Sequence, residues 1–286
     1  MSYGKRVKRM VVIITIVCII VILVALLTVV CVFKKGNNSN IVSSASEETA
    51  VGKDFVEEEV DPSLDSVYNA TFESQKYEAK NSKDEVTVVN ERNVLMLNNE
   101  ARPKAASIIQ DTINGIMNDK WDNDIKRAAD DYSNSGNKDE VKGVKYICEL
   151  VYQNSSFLTF SIKISGELAD SSLASDELYT FSSKTGERLS IDLCANNAEE
   201  LKSELIQATQ QYIKDNNITI KDSLNVGERE LLANNMSRQG NFGILESGIC
   251  IKYQKNEIAD ESAGVISVSL NKNRSNSLMK SGYKID

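Results

Sequence analysis

Histidine is absent from all 286 residues. That omission removes every Ser-His and Cys-His pair, together with the commonest metal ligand and general base. Cysteine is sparse, with five in the chain, and two of these, Cys18 and Cys31, fall inside an apolar run. The remaining Cys148, Cys194 and Cys250 form an odd set that permits at most one internal disulfide and matches no zinc spacing. They read as small apolar fillers in strands. No phosphate loop or dinucleotide-binding glycine pattern occurs. Adjacent carboxylates at Asp130-Asp131 and Glu199-Glu200 lie in helical patterns, where neighbours diverge instead of facing one substrate. Carboxylates brought together from distant positions are the one acid–base arrangement left open. No residue is assigned as catalytic, cofactor-binding or metal-binding, and no cofactor is expected.

Positive charge is also short. The formal net charge is −8, and beyond position 35 there are 27 basic and 41 acidic residues, a net −14. Such a surface repels nucleic acid and does not favour anionic membranes, whereas it suits a basic partner.

What the chain does have is one long uncharged run, "MVVIITIVCIIVILVALLTVVCVF", residues 10–33. Its 24 residues span about 36 Å as a helix, enough to cross a hydrocarbon core of about 30 Å with some tilt. Lys5, Arg6, Lys8 and Arg9 precede it, and Lys34 and Lys35 follow. That balance puts residues 1–9 in the cytoplasm and the bulk of the chain outside a cell membrane crossed once. A cleaved signal peptide has a shorter apolar region with a cleavage site close behind it, but here the nearest candidate, Ser43-Ser44-Ala45, lies far past the end. A lipoprotein needs a small residue before its cysteine, and Val29 and Val30 precede Cys31.

Residues 34–83, rich in Asn, Ser and Glu, read as a disordered or extended stalk. Structure is expected from Asp84 onwards as an α+β fold, a largely antiparallel sheet with two main helices packed on it. "EVTVVN" and "NVLMLNN" read as two strands. A long helix follows, with Pro103 in its first turn and an apolar stripe of Ala105, Ile109, Ile113, Ile116, Ile125 and Ala128, broadened by Met117 and Trp121. "GVKYICELVYQNSS" and "SFLTFSIKISGEL" alternate around an Asn-Ser-Ser turn, a hairpin. A second helix, "NAEELKSELIQATQQYIKDNN", is capped by Asn196 or Asn197 and lined by Leu201, Leu205, Ile206 and Ile213. Three short strands close the fold. The expected divisions are a strand–helix subdomain over 84–140, an α+β domain over 141–272 and a polar tail over 273–286.

Between hairpin and second helix lies "YTFSSKTGERLSIDLC", read as two strands around a Lys-Thr-Gly-Glu turn. Tyr179, Phe181, Leu189 and Ile191 point inward, and Cys194 ends a strand. Lys184-Thr185-Gly186 is one element of the penicillin-recognising set, and Ser277-Leu278-Met279-Lys280 and Ser223-Leu224-Asn225 match the others formally. The nucleophile motif, however, should come first and open a buried helix, and here it lies near the chain end. The turn needs only Gly186, which reaches positive φ without steric cost. The acidic stretch "ELADSSLASDEL", 167–178, reads as a loop whose Glu167, Asp170, Asp176 and Glu177 are candidate ligand contacts.

The order of "FLTFSIKIS", an aromatic strand, the Lys-Thr-Gly turn, "RLSIDLC", a helix and "FGILESGICIKYQKNEIADESAGVISVSL" resembles the extracytoplasmic domain of the anti-sigma-V (RsiV) family, also found beside the catalytic domain of certain peptidoglycan deacetylases. "NVLMLNNEARPKAASIIQDTINGIMND" resembles the companion domain that precedes it there. The family's Gly-Gly-Ala-His turn is missing, and Ser182 and Ser183 stand where it favours an aspartate. The resemblance implies a Gram-positive envelope setting and recognition of a wall component or of lysozyme, a basic protein. Nine residues before the span are too few to hold a sigma factor. The expected function is therefore a membrane-anchored extracytoplasmic binding or sensing module. The alternative is a non-catalytic subunit of an envelope or spore-associated assembly.

Overall fold

Residues 157–168 and 171–182 pair as the antiparallel strands that close one edge of a five-stranded sheet. The computed structural model describes residues 67–135, 140–168, 171–221 and 227–286. The expected membrane span over 10–33 and most of the stalk lie outside these. Among the described residues no helix is long and apolar enough to cross a membrane.

The sheet holds β1 (Asn69–Lys80), β2 (Val86–Asn98), β3 (Gly143–Gln153), β4 (Phe157–Leu168) and β5 (Ser171–Ser182) in sequence order. All neighbours are antiparallel except β2 and β3, which run parallel. β1 lies within the segment read as stalk, so order begins earlier than expected. It is an edge strand with most side chains in solvent, held by its ladder to β2, and hence shows little apolar alternation. The two strands expected over 85–99 are one, because the ladder to β1 runs unbroken through Asn90–Asn93. Asn90 and Asn93 instead turn their amides on β3: Val144 N donates to Asn90 Oδ1 (3.1 Å) and Cys148 N to Asn93 Oδ1 (2.7 Å). These side chains extend a β2–β3 ladder that is otherwise short. Beyond them Asn114 and Gln110 of the following helix bond to the β2 backbone at Leu95 and Leu97.

That helix supplies the parallel crossover. It comprises α1 (Pro103–Lys120), a π turn (Trp121–Lys126) and α2 (Arg127–Asn134). Its buried positions recur every fourth residue, at Ala105, Ile109, Ile113, Met117, Trp121, Ile125 and Ala129. On a 3.6-residue helix such a repeat drifts by about 40° per step, and the wider π turn restores the drifting face to the sheet. Ile116 and Ala128, expected in the stripe, are therefore only partly buried, and Met117 and Ala129 take the core positions. With Leu95, Tyr146, Phe160 and Phe181 they form the first core.

The second core lies under a three-stranded meander, β6 (Phe242–Leu245), β7 (Gly248–Tyr253) and β8 (Ile266–Ser269). Covering it are α4 (Ala198–Asp215), preceded by the helical turn α3 (Ile191–Cys194), and α5 (Glu228–Met236). Asn197 caps α4, accepting from Glu200 N at 3.3 Å, and Leu201, Leu205, Ile206 and Ile213 are buried as expected. Each main helix thus has its own core, and the 140/141 division falls between two strands of one sheet. Residues 273–286 are not merely a polar tail. They include most of α6 (Lys272–Leu278), and Leu278, Met279 and Ile285 are buried in the second core.

Two buried threonines join the sheets. Thr159 Oγ1 donates to Ile244 O (2.5 Å), and Ile244 N donates to Thr180 Oγ1 (3.1 Å). β6 is thereby fixed across β4 and β5, and this arrangement sets the site described next.

Candidate functional site

Of the stretch read as a loop, residues 167–168 belong to β4 and residues 171–178 to β5. Glu167 lies next to the end of β4, Asp176 and Glu177 lie within β5, and the hairpin ladder continues to Leu168 opposite Ser171. Serines and carboxylates occupy its far end in place of β-formers, so composition hid a regular ladder. The structure does not bring Glu167, Asp176 and Glu177 together. Glu167 pairs with Lys142 at 2.7 Å in solvent, and Asp170 lies outside the described residues. Asp176 and Glu177 are successive strand residues and face opposite sides. Asp176 accepts from Ser161 Oγ (3.0 Å) and pairs with Lys252 of β7.

Glu177 is buried beside the first core. Lys120, the last residue of α1, pairs with its Oε1, and the Tyr179 hydroxyl donates to its Oε2 at 2.6 Å. Burial, and then the Glu177 carboxylate, hold the Tyr179 phenol far above its ordinary range, so it stays a donor. Tyr146 is raised in the same way by burial and by the charges of Glu177 and Asp124. Its hydroxyl is fully buried and has no hydrogen-bond partner among the described residues. Gly240 closes this cluster from the α5–β6 connection with φ +88°. A Cβ there would sit 3.0 Å from Tyr179 Oη and 3.1 Å from the Glu177 side chain.

On the outer side of Gly240 is a cleft of about 70 Å³. Its apolar lining includes Leu178, Leu189, Ile191, Met236 and Phe242, and its polar lining includes Arg188, Ser190, Lys202, Arg238 and Gln239. The walls are fixed by backbone bonds from Leu178 N to Gly240 O and from Leu189 N to Thr180 O, both 2.7 Å. Two of the cations are already neutralised: Lys202 pairs with Asp192 at 2.7 Å and Arg238 with Glu257 at 3.0 Å. The side chains of Arg188, Ser190 and Gln239 make no hydrogen bond among the described residues. No group of three or more Cys, Asp or Glu among those residues could hold a metal ion.

The architecture around this cleft has solved counterparts. The chain is similar to a DUF3298 family member from Bacteroides fragilis NCTC 9343, at TM-score 0.54 and 10% identity, covering 76% of this chain and 95% of that one. It is also similar to a DUF3298 family protein from Pseudomonas aeruginosa PAO1, at TM-score 0.51 and 10% identity, covering 78% and 99%. The likeness is one of fold. No protein-family model and no curated protein matches the chain.

The Lys-Thr-Gly turn frames the cleft without lining it. Gly186 N donates to Ser182 O (2.9 Å), and Lys184 and Thr185 are exposed. Ser277 donates to Arg274 O (2.7 Å), while Ser223 lies outside the described residues. "RLSIDLC" is not a second strand. Arg188 makes a single bridge to Phe181, and the chain then turns into α3, because Ile191 and Cys194 are buried at a helical spacing of three. Cys194 accordingly sits in a helical turn and not at a strand end. It is unpaired, as are Cys148 and Cys250, and burial pushes the Cys148 and Cys194 thiols up to about 12.

Gly186 has φ +73°, and a Cβ there would meet Ala105 O at 2.7 Å. Gly186→Ala combines a strained backbone with a clash against the first turn of α1. It is expected to cost about 2–3 kcal/mol, read as a lowered urea midpoint with unchanged m-value. Loss smaller than about 0.5 kcal/mol would contradict this tight approach.

Proposed function

We propose that the chain is a single-pass, membrane-anchored binding or sensing module of the bacterial cell envelope, with its bulk outside the membrane. The observation that carries the binding role is the cleft, where Arg188, Ser190 and Gln239 have no side-chain partner among the described residues and share the lining with apolar side chains. Pockets with apolar walls and a few convergent polar groups are the common form of a small-ligand site. The address rests on the uncharged run over 10–33 and its basic flanks. The resemblance of the sequence to the RsiV-like extracytoplasmic domain supports the same setting. A wall component suits the cleft. A basic, lysozyme-like protein would be drawn instead to the acidic surface. The net negative charge beyond position 35 argues against nucleic acid.

One feature favours the alternative, a non-catalytic subunit of an envelope or spore-associated assembly. β1 and β3 border an open trough of about 700 Å³ whose lining includes Phe72, Ile147 and Val151. Phe72 and Val151 are 36% and 40% exposed, and exposed apolar surface of this kind marks contact with other proteins.

Protease treatment of intact cells, followed by blotting with an antibody to the C-terminal residues, tests the address. The expected result is loss of the epitope without lysis and membrane fractionation of the untreated chain. An epitope protected until the cells are lysed would overturn the reading.

A further inference from the structure

We propose that the cleft behind Gly240 binds the carboxylate end of a peptide whose last side chain is small and apolar, with Arg188 as the group that holds the carboxylate. The inference deepens the binding role proposed above and rests on it. Charge sets the class of ligand. Of the three cations lining the cleft, Lys202 is spent on Asp192, the one carboxylate in the lining, and Arg238 on Glu257, while Glu177 behind the wall is spent on Lys120. One positive charge, the exposed Arg188 guanidinium, is left without an ion pair among the described residues. A single free guanidinium matches a monoanion, and its planar fork matches a carboxylate. A phosphate dianion would find half the charge it needs.

Donors set the orientation. The Ser190 hydroxyl and the Gln239 amide, without hydrogen-bond partners among the described residues, can complete the carboxylate's hydrogen bonds or meet the peptide group behind it. The Tyr179 hydroxyl, also in the lining, is already committed to Glu177 and adds no charge.

Volume sets the size. At about 10–15 Å³ of accessible space for each water-sized group, 70 Å³ admits about five to seven non-hydrogen atoms. That is a carboxylate with its α-carbon, nitrogen and one methyl. The apolar floor of Leu178, Leu189, Ile191 and Met236 receives the methyl, and a larger side chain would be turned out of the cleft.

Calorimetric titration of the full chain in detergent tests this with three probes: N-acetyl-alanyl-alanine, its C-terminal amide, and acetate. The acid is expected to bind, the amide about tenfold or more weaker, since a charged hydrogen bond is lost. Acetate should be weaker than the acid because it brings no peptide group. Arg188→Gln should lower the affinity for the acid by about tenfold or more and leave the thermal midpoint unchanged, because the side chain is exposed. Gln239→Ala should give a smaller loss.

Equal binding of acid and amide, or full binding by Arg188→Gln, would overturn the assignment. Equal binding of acetate and the dipeptide would overturn the peptide as source. Absence of any binding in a chain that is still stripped from intact cells would overturn this inference alone. Binding by a chain that resists stripping would support the cleft and overturn only the membrane address.

Discussion

Replacing Lys120 with Met is expected to cost about 2–3 kcal/mol of unfolding free energy, whereas Glu177→Gln should cost about 1 kcal/mol. The asymmetry follows from exposure. The Glu177 side chain is only 10% exposed, so removing Lys120 leaves a carboxylate out of water with the Tyr179 hydroxyl as its main remaining donor. The Lys120 side chain is 30% exposed and can reach solvent once its partner is neutral. Loss of one partner of a fully buried pair costs about 3–5 kcal/mol, and the partial exposure of Lys120 reduces that figure. The double variant Lys120→Met/Glu177→Gln should therefore lie close to Glu177→Gln alone. Urea unfolding followed by circular dichroism gives the cycle directly. Equal losses in the two single variants would mean that the pair behaves as a surface contact.

A larger loss, about 3–5 kcal/mol, is expected for Trp121→Ala. Trp121 is the only tryptophan in the chain and is 5% exposed at the start of the π turn. The Arg92 guanidinium lies 4.9 Å from its ring centroid and is itself tied to Gln75 and Asn118, each at 2.9 Å. Truncation opens a cavity between α1 and the sheet and also strips the cation of its aromatic face. Trp121→Phe keeps the face and part of the volume, and should lose less than half as much. If Trp121→Ala stayed within about 1 kcal/mol of the parent, the π turn could not be an anchor of the first core.

Elements with a strong period were legible from residues alone. The β3–β4 hairpin, α4 with its Asn197 cap and the three closing strands all carry apolar alternation or a helical stripe, and they stand where they were expected. β1 was not legible, because an edge strand with its side chains in water needs no apolar alternation. The 189–194 segment misled because Leu189 and Ile191 alternate like a strand, while Ile191 and Cys194 equally suit one helical turn. The acidic residues of 167–178 misled through composition. Their ladder partners, not their polarity, decide where they point. The cleft could not be read at all. Arg188 and Gln239 are about fifty positions apart, and the backbone bonds of Leu189 and Gly240 to β5, with the attachment of β6 to Thr159 and Thr180, bring both to one cleft.

The π turn has a consequence for how the chain tolerates changes of length. Relative to a regular helix it amounts to one extra residue held in a single loosened turn. Remove that residue, at exposed Asn123 for instance, and the turn closes to ordinary α geometry while both flanks keep their phase. Lys120 on one side and Ala129 on the other would still meet the sheet as they do now. The crossover helix is in this sense insulated: a one-residue deletion at that turn is absorbed locally and is not transmitted to the Glu177 pair or to the strands beyond it.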